Sequence, residues 1–384
     1  MSLRVSISRY LAGLVGSKRG ATSESAMDET QMSDTQDQSA TGGSTAVQAG
    51  RDVIFTNTTT GLTFMEARQI AKDVFDANFI RLADEAASIA ASRADALRER
   101  FFVQLGRENP EGLQQAKDPG FQHAFYTAQK EQARTGDTDL GDLLVDLLVD
   151  RTKRSERDIR QIVLDESLNT APKLTGGQIA TLSSVFFLRY TRNRGLTSHA
   201  ELGRYLDKFV EPLITKLATS NASFQHLEFT GCGAVGAFEW TPEQNLESNY
   251  QGLFLKGFDP AEIANRAIST GLDRRVFMAC LNDPSKLQVA ALNQEQLELG
   301  LSSLALPAED TVKIKELFNA FKMSHEEIRA KCIEIRPYME TIFDVWANSS
   351  MKNFTLTSVG IAIGHANIKR IIGEEFADLS IWIN

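Results

Sequence analysis

Apolar residues recur at helical spacing along most of this chain, and the longest uninterrupted run of the pattern lies near its start. From Phe64 onward, Ala67, Ile70, Ala71, Val74, Phe75, Leu82, Ala86, Ile89, Leu97, Phe101 and Leu105 are spaced mostly by three and four, with charged residues mostly between them. No Pro or Gly interrupts the run. Thr63 and Glu66 form a capping box, in which each side chain satisfies a free amide of the first turn. A helix is therefore predicted from Phe64 over about 40 residues, or roughly 60 Å at 1.5 Å per residue. That outruns an ordinary globular helix, so part of its stripe needs cover, from the rest of the chain or from another copy. The many Ala positions permit close helix approach, but no clean heptad holds throughout. Both a core helix and a self-association helix fit the pattern.

Just before it, residues 45–49 and 52–56 alternate like two short strands about Gly50-Arg51. An isolated two-stranded hairpin is marginal in water, so this segment is either one half of an intersubunit β structure or a linker that happens to contain Val and Ile. Residues 20–43 are Ser, Thr, Gln, Asp, Glu and Gly with little to bury, which predicts disorder. Residues 1–19 mix four basic residues with Leu, Val and Ile. They form a short amphipathic segment, a docking tail or a peripheral membrane contact, with an apolar run far too short to span a bilayer.

Downstream, local capping chemistry marks the helix starts. Asp118-Pro119 supplies an N-cap and a first-turn proline, and Asp137 opens a helix carrying Leu140, Leu143, Leu144, Leu147 and Leu148. Asp142, Asp146 and Asp150 lie four apart on that helix. They read as a solvated face neutralised by Lys153, Arg154 and Arg157, since carboxylates at such spacing alone supply too few converging oxygens for a metal. Further starts fall at Thr175 with Gln178, Ser198 with Glu201, Thr241-Pro242 with Gln244, Asp259-Pro260, Asp273, Asn293, Ala308 and Ser324 with Glu327. Pro212 predicts a kink. At the C-terminal end, residues 354–357 read as extended, residues 358–372 as an apolar helix, and residues 379–383 as a strand with Leu379, Ile381 and Ile383 on one face. The two strands are predicted to pair, as in the wing of a winged helix.

The fold class expected is therefore mainly α and multi-helical, with a small N-terminal β segment and a C-terminal strand-helix-strand unit. The expected divisions are a tail at 1–44, an assembly module at 45–105, a helical domain at 106–290 and a C-terminal region at 291–384.

With 42% hydrophobic and 24% charged residues, the composition is that of a globular protein. The net charge of −9 argues against general nucleic-acid binding, although one basic face could hide within it. Cys232, Cys280 and Cys332 are far apart and odd in number, which suits reduced thiols in the cytoplasm. The stretch 223–238 sets His226, Glu228 and Cys232 close together, but six positions do not put His and Cys on one helical face. Gly231 to Gly236 lacks the Lys-Ser/Thr ending of a phosphate loop. A packed helix end beside a turn is the reading there, and no catalytic, cofactor-binding or metal-ligating residue can be assigned.

Four segments together, GLTFMEARQIAKDVFDANF at 61–79, DLGDLLVDLLVDR at 139–151, SFQHLEF at 223–229 and the closing ADLSIWIN, resemble a family of uncharacterised bacterial proteins. The resemblance covers residues 48–384. It implies a bacterial cytosolic protein with no assigned activity, of a kind that sometimes belongs to mobile-element or phage-defence cargo. The function expected is a homo-oligomeric interaction or effector protein, with an unknown protein partner beyond its own copies. The alternatives are an enzyme with an unrecognised helical site near 223–232, and a nucleic-acid-associated regulator using the wing-like end.

Overall fold

The computed structural model describes residues 63–154, 156–374 and 377–384. The expected tail and the strand-like segment at 45–56 fall outside them. The chain divides into two compact units, Met1–Ile89 and Ala90–Asn384.

In the first unit, Thr63 caps as its neighbours predict: the Glu66 amide donates to Thr63 Oγ1 at 3.2 Å while Glu66 Oε2 accepts from the Thr63 amide at 2.9 Å. Helix α1, Phe64–Glu108, begins there and continues into the second unit for 45 residues in all. The second unit is helical almost throughout. Its opening elements are the last part of α1, then α2 (Pro119–Thr135), α3 (Thr138–Thr152) and α4 (Ile159–Thr170). Asp118 and Asp137 cap α2 and α3, accepting from the Phe121 and Leu140 amides, and Gly136 ends α2 in the left-handed conformation at φ 66°. That conformation costs a side chain dearly and glycine nothing.

The centre of the unit is α5 (Gly176–Tyr190) packed against α14 (Ser358–Ile372). Both are apolar on most sides, so both are buried. Gly364 makes the approach possible, because a Cβ there would lie 3.0 Å from the Leu182 carbonyl oxygen. Between them in sequence come α6 (His199–Phe209), α7 (Asn221–Phe229), strand β1 (Gly233–Val235) and α8 (Pro242–Tyr250). Pro212 does not kink a helix: α6 stops at Phe209 and a separate 3-10 turn, Glu211–Lys216, takes the proline into its first turn.

A smaller core gathers Leu255, Phe258, Phe277, Val289, Leu301 and Phe318. Around it lie α9 (Ala261–Asn265), strands β2 (Phe277–Ala279) and β3 (Leu287–Val289), α10 (Gln294–Ser303) and α11 (Ala308–Ala320). Here the structure departs from expectation. Asp273 opens a turn and not a helix, and the Asp283-Pro284 segment is the bend of an antiparallel pair in which Phe277 faces Val289. The helix expected to run from Ser324 to Trp346 is two, α12 (His325–Ile335) and α13 (Met339–Asn348). Pro337 separates them by forcing Arg336 into extended backbone, φ −146° and ψ 106°.

The largest correction is at the C-terminal end. Strand β4, Phe354–Leu356, forms where expected, but it pairs antiparallel with β1, Gly233 opposite Leu356. Residues 379–383 are not its partner. Asp378 caps a single 3-10 turn, Leu379–Ile381, with its side chain accepting from the Ser380 amide. Leu379 and Ile383 are buried while Ile381 stands 64% exposed. Two residues four apart fall on one side of a helical turn and the residue between them on the other, so the pattern read as strand alternation is satisfied by a turn. The wing-like strand-helix-strand unit is therefore absent, whereas the mainly α class stands.

Candidate functional site

The stretch around Cys232 was the first candidate. Ser220 caps α7 on the Ser223 amide, and the helix ends at Phe229 before a turn that feeds β1. His226 Nδ1 lies 3.0 Å from Gln178 Nε2 on α5. Glu228 Oε1 accepts from the Val235 amide at 2.7 Å. Cys232 is fully buried, its amide bonded to the Leu227 carbonyl at 2.9 Å and its sulfur 3.5 Å from the Thr230 hydroxyl. Burial pushes the Cys232 thiol up, against the smaller opposing effects of that hydroxyl and Lys173, and a raised thiol holds little of the nucleophilic thiolate at neutral pH. Each polar group here thus fastens the helix end to its neighbours, as the packed-turn reading describes.

A second cluster was misread from the sequence. Of the three aspartates spaced four apart on α3, Asp142 alone lies near the surface, paired with Arg100 at 2.5 Å. Asp146 and Asp150 are buried, and what they face is Lys369, from α14. The Lys369 ammonium lies 2.5 Å from Glu108 at the end of α1, 3.3 Å from Asp150 and 3.7 Å from Asp146. Gln104 also hydrogen-bonds Asp146, and Lys153 pairs with Asp150 at 2.9 Å.

Burial pushes Asp146 up to about 6, aided by the charges of Asp150 and Glu108 and opposed by Lys369 and Gln104. Burial also acts upward on Glu108, but the Lys369 hydrogen bond and charge, with Gln104 and Lys153, together outweigh it and bring that carboxyl below its ordinary value. Burial lowers Lys369, and the carboxylates of Asp150 and Glu108 more than restore it. The arrangement is an ionic clamp joining α1, α3 and α14 across a shallow cleft. Among the described residues no group of three or more His, Cys, Asp or Glu side chains is placed to hold a metal ion.

The third feature is in the first unit. Phe64, Met65, Ile70, Val74, Phe75, Phe79, Ile80, Leu82 and Ile89 are all exposed, Phe75 at 66% and Leu82 at 53%. Phe75, Leu82 and Ile89 are seven residues apart, and Ala71 and Asn78 interleave with Phe75 and Leu82 in steps of four and three, while the position between Leu82 and Ile89 is the charged Glu85. That is the spacing of a helix seam that packs on another helix. Single exposed apolar residues are ordinary, whereas so many large ones between Phe64 and Ile89 of one helix make this stretch a candidate interaction surface.

A model of an uncharacterised protein family matches residues 61–383. No curated protein and no solved structure matches the chain.

Proposed function

We propose, from the premise that the chain belongs to this uncharacterised family and takes no activity from it, that the protein is a bacterial, cytoplasmic, homo-oligomeric interaction or effector protein assembling through residues 45–105. The observation that carries the reading is the run of nine exposed large apolar side chains between Phe64 and Ile89. A second copy is the occupant that fits best. The seven-residue recurrence of Phe75, Leu82 and Ile89 repeats identically in every copy, and Asn78 and Glu85 sit between these residues, where polar side chains bear on register and number of strands. Cys232, Cys280 and Cys332 are all buried free thiols, which supports a reducing compartment. No helix among the described residues is long and apolar enough to cross a membrane.

Light scattering on the full chain at micromolar concentration tests the proposal. The full chain is expected to have the mass of an oligomer, and a chain starting at residue 58 a lower state with its helix content kept. The double variant Phe75→Glu/Leu82→Glu is expected to be monomeric. A full chain that scatters as a monomer overturns the reading.

A further inference from the structure

Away from both the clamp and the exposed helix, the second unit carries a cleft of about 970 Å³. Its walls are the loop between α5 and α6, the outer face of α6 and residues 377 and 381–382 near the C-terminal end. Four cations line it: Arg192 and Arg194 from the loop, and Arg204 and Lys208 four apart on α6, hence on one helix face. Among the described residues one carboxylate, Glu201, joins them in the lining. Its Oε2 is taken by the Thr197 amide at 2.7 Å and hydroxyl at 2.8 Å, which fastens the loop to the helix.

The cations are under-neutralised. Arg192 and Arg194 share a single carboxylate, Glu295, at 2.9 and 3.4 Å. Lys208 pairs with Glu374 and lies over the Phe209 ring, and Arg204 is exposed, with the charge of Glu201 nearby but no ion pair among the described residues. On a chain of net charge −9 this local excess of positive charge is not the general character of the surface.

The aromatic part of the lining has its polar ends engaged already. The Tyr190 hydroxyl accepts from the Leu356 amide at 3.1 Å, Trp382 Nε1 donates to the Tyr190 carbonyl at 2.7 Å, and the Tyr205 hydroxyl bonds within a group containing Tyr250 and Thr191. Their rings also pack on neighbours, Tyr205 on Phe187 and Phe209 and Trp382 on Phe186, so what they leave for a ligand is the half-buried ring surface that lines the cleft. The cleft therefore offers guanidinium and ammonium groups beside aromatic carbon, which suits an anion carried on a flat ring.

We propose that this cleft binds a nucleoside di- or triphosphate, with the phosphates on Arg192, Arg194, Arg204 and Lys208 and the base against the aromatic lining. Planar guanidinium forks match phosphate oxygens two at a time, and aromatic side chains stack on any base. The volume lies at the upper end of small-ligand sites, roughly 300–1,000 Å³, and so suits one nucleotide. A nucleic-acid strand is disfavoured, because it would carry its charge beyond the cleft and over an acidic protein.

Isothermal titration calorimetry on the full chain tests this, using ATP, GTP, CTP and UTP, with tripolyphosphate, adenosine and a single-stranded oligonucleotide as comparisons. A nucleoside triphosphate is expected to bind more tightly than tripolyphosphate and far more tightly than adenosine. Arg204→Gln and Arg194→Gln, both at exposed positions that leave the core intact, are each expected to weaken binding by about tenfold, as loss of one charge-assisted contact does. Tripolyphosphate binding as tightly as the nucleotides overturns the proposal, as does a tighter oligonucleotide. So does nucleotide affinity unchanged in both variants when circular dichroism shows them folded, or no binding by any nucleotide.

Discussion

Helix α1 is one continuous element with two different fates. From Phe64 to Ile89 its large apolar side chains are exposed, whereas from Ala90 onward Ala94, Leu97, Phe101 and Leu105 are buried, Leu97 completely. The apolar spacing hardly changes between the two stretches. Nor does local support: the first has a capping box and the pairs Gln69 with Asp73 and Arg81 with Glu85, four residues apart. Each such pair contributes only about 0.2–0.5 kcal/mol, too little to hold a long helix in water without packing. Periodicity thus tells that a face must be covered, while the identity of the cover depends on what the remaining chain brings. For the second stretch it is α2, α3 and the ionic clamp.

The sharpest way to break the contrast is to remove the clamp's cation. Lys369→Met leaves Glu108, Asp146 and Asp150 without their shared partner and is expected to destabilise the second unit by about 3–5 kcal/mol in urea unfolding. A loss below about 1 kcal/mol, the value of a surface pair, would show that the clamp is solvated in practice. Next comes a direct test within the helix. Phe101→Ala should cost about 3–5 kcal/mol, and Phe75→Ala, read on the monomer, within about 0.5 kcal/mol. Equal losses from the two would mean that the first stretch is covered by its own chain.

The smaller effect is pH-dependent. The Asp146 carboxyl rises from 3.8 to about 6 in the folded protein, so its contribution to stability is complete below about pH 4 and is lost as pH rises through about 6. Asp146→Asn keeps an acceptor for Gln104 without an ionising group. It is expected to match the parent at pH 4 and to exceed it by about 1–3 kcal/mol at pH 8 in denaturant titrations. A gap that does not change with pH would remove Asp146 from the account.

What could be read beforehand was whatever the chain settles within four residues. Thr63 with Glu66, Asp118-Pro119, Thr175 with Gln178, Thr241 with Gln244 and Ser324 with Glu327 each mark a helix start because cap and amide are neighbours. The solvated-face reading of Asp146 and Asp150 failed for the opposite reason: Lys369, 219 residues beyond Asp150, is what permits their burial. Residues 379–383 were misread because five residues are too few to separate a period of two from one helical turn. The β2 and β3 pair was missed although Phe277 and Ala279, then Leu287 and Val289, alternate on either side of an Asn-Asp-Pro-Ser bend, a signal that was present. The basic cleft also had one, Arg192-Asn-Arg194 followed by Arg204 and Lys208, but a net charge averaged over the whole chain conceals a local excess.

The clamp also sets a clock. Lys369 follows Glu108 by 261 residues, and at translation rates of about 5–20 residues per second the interval between them is about 10–50 s. During that interval Glu108 and Asp146 lack the ammonium they face in the folded protein, Asp150 alone having Lys153 close by in sequence, and burying such carboxylates unpaired is costly. The paired burial of α1 and α3 is therefore completed only when α14 arrives to close the unit over them.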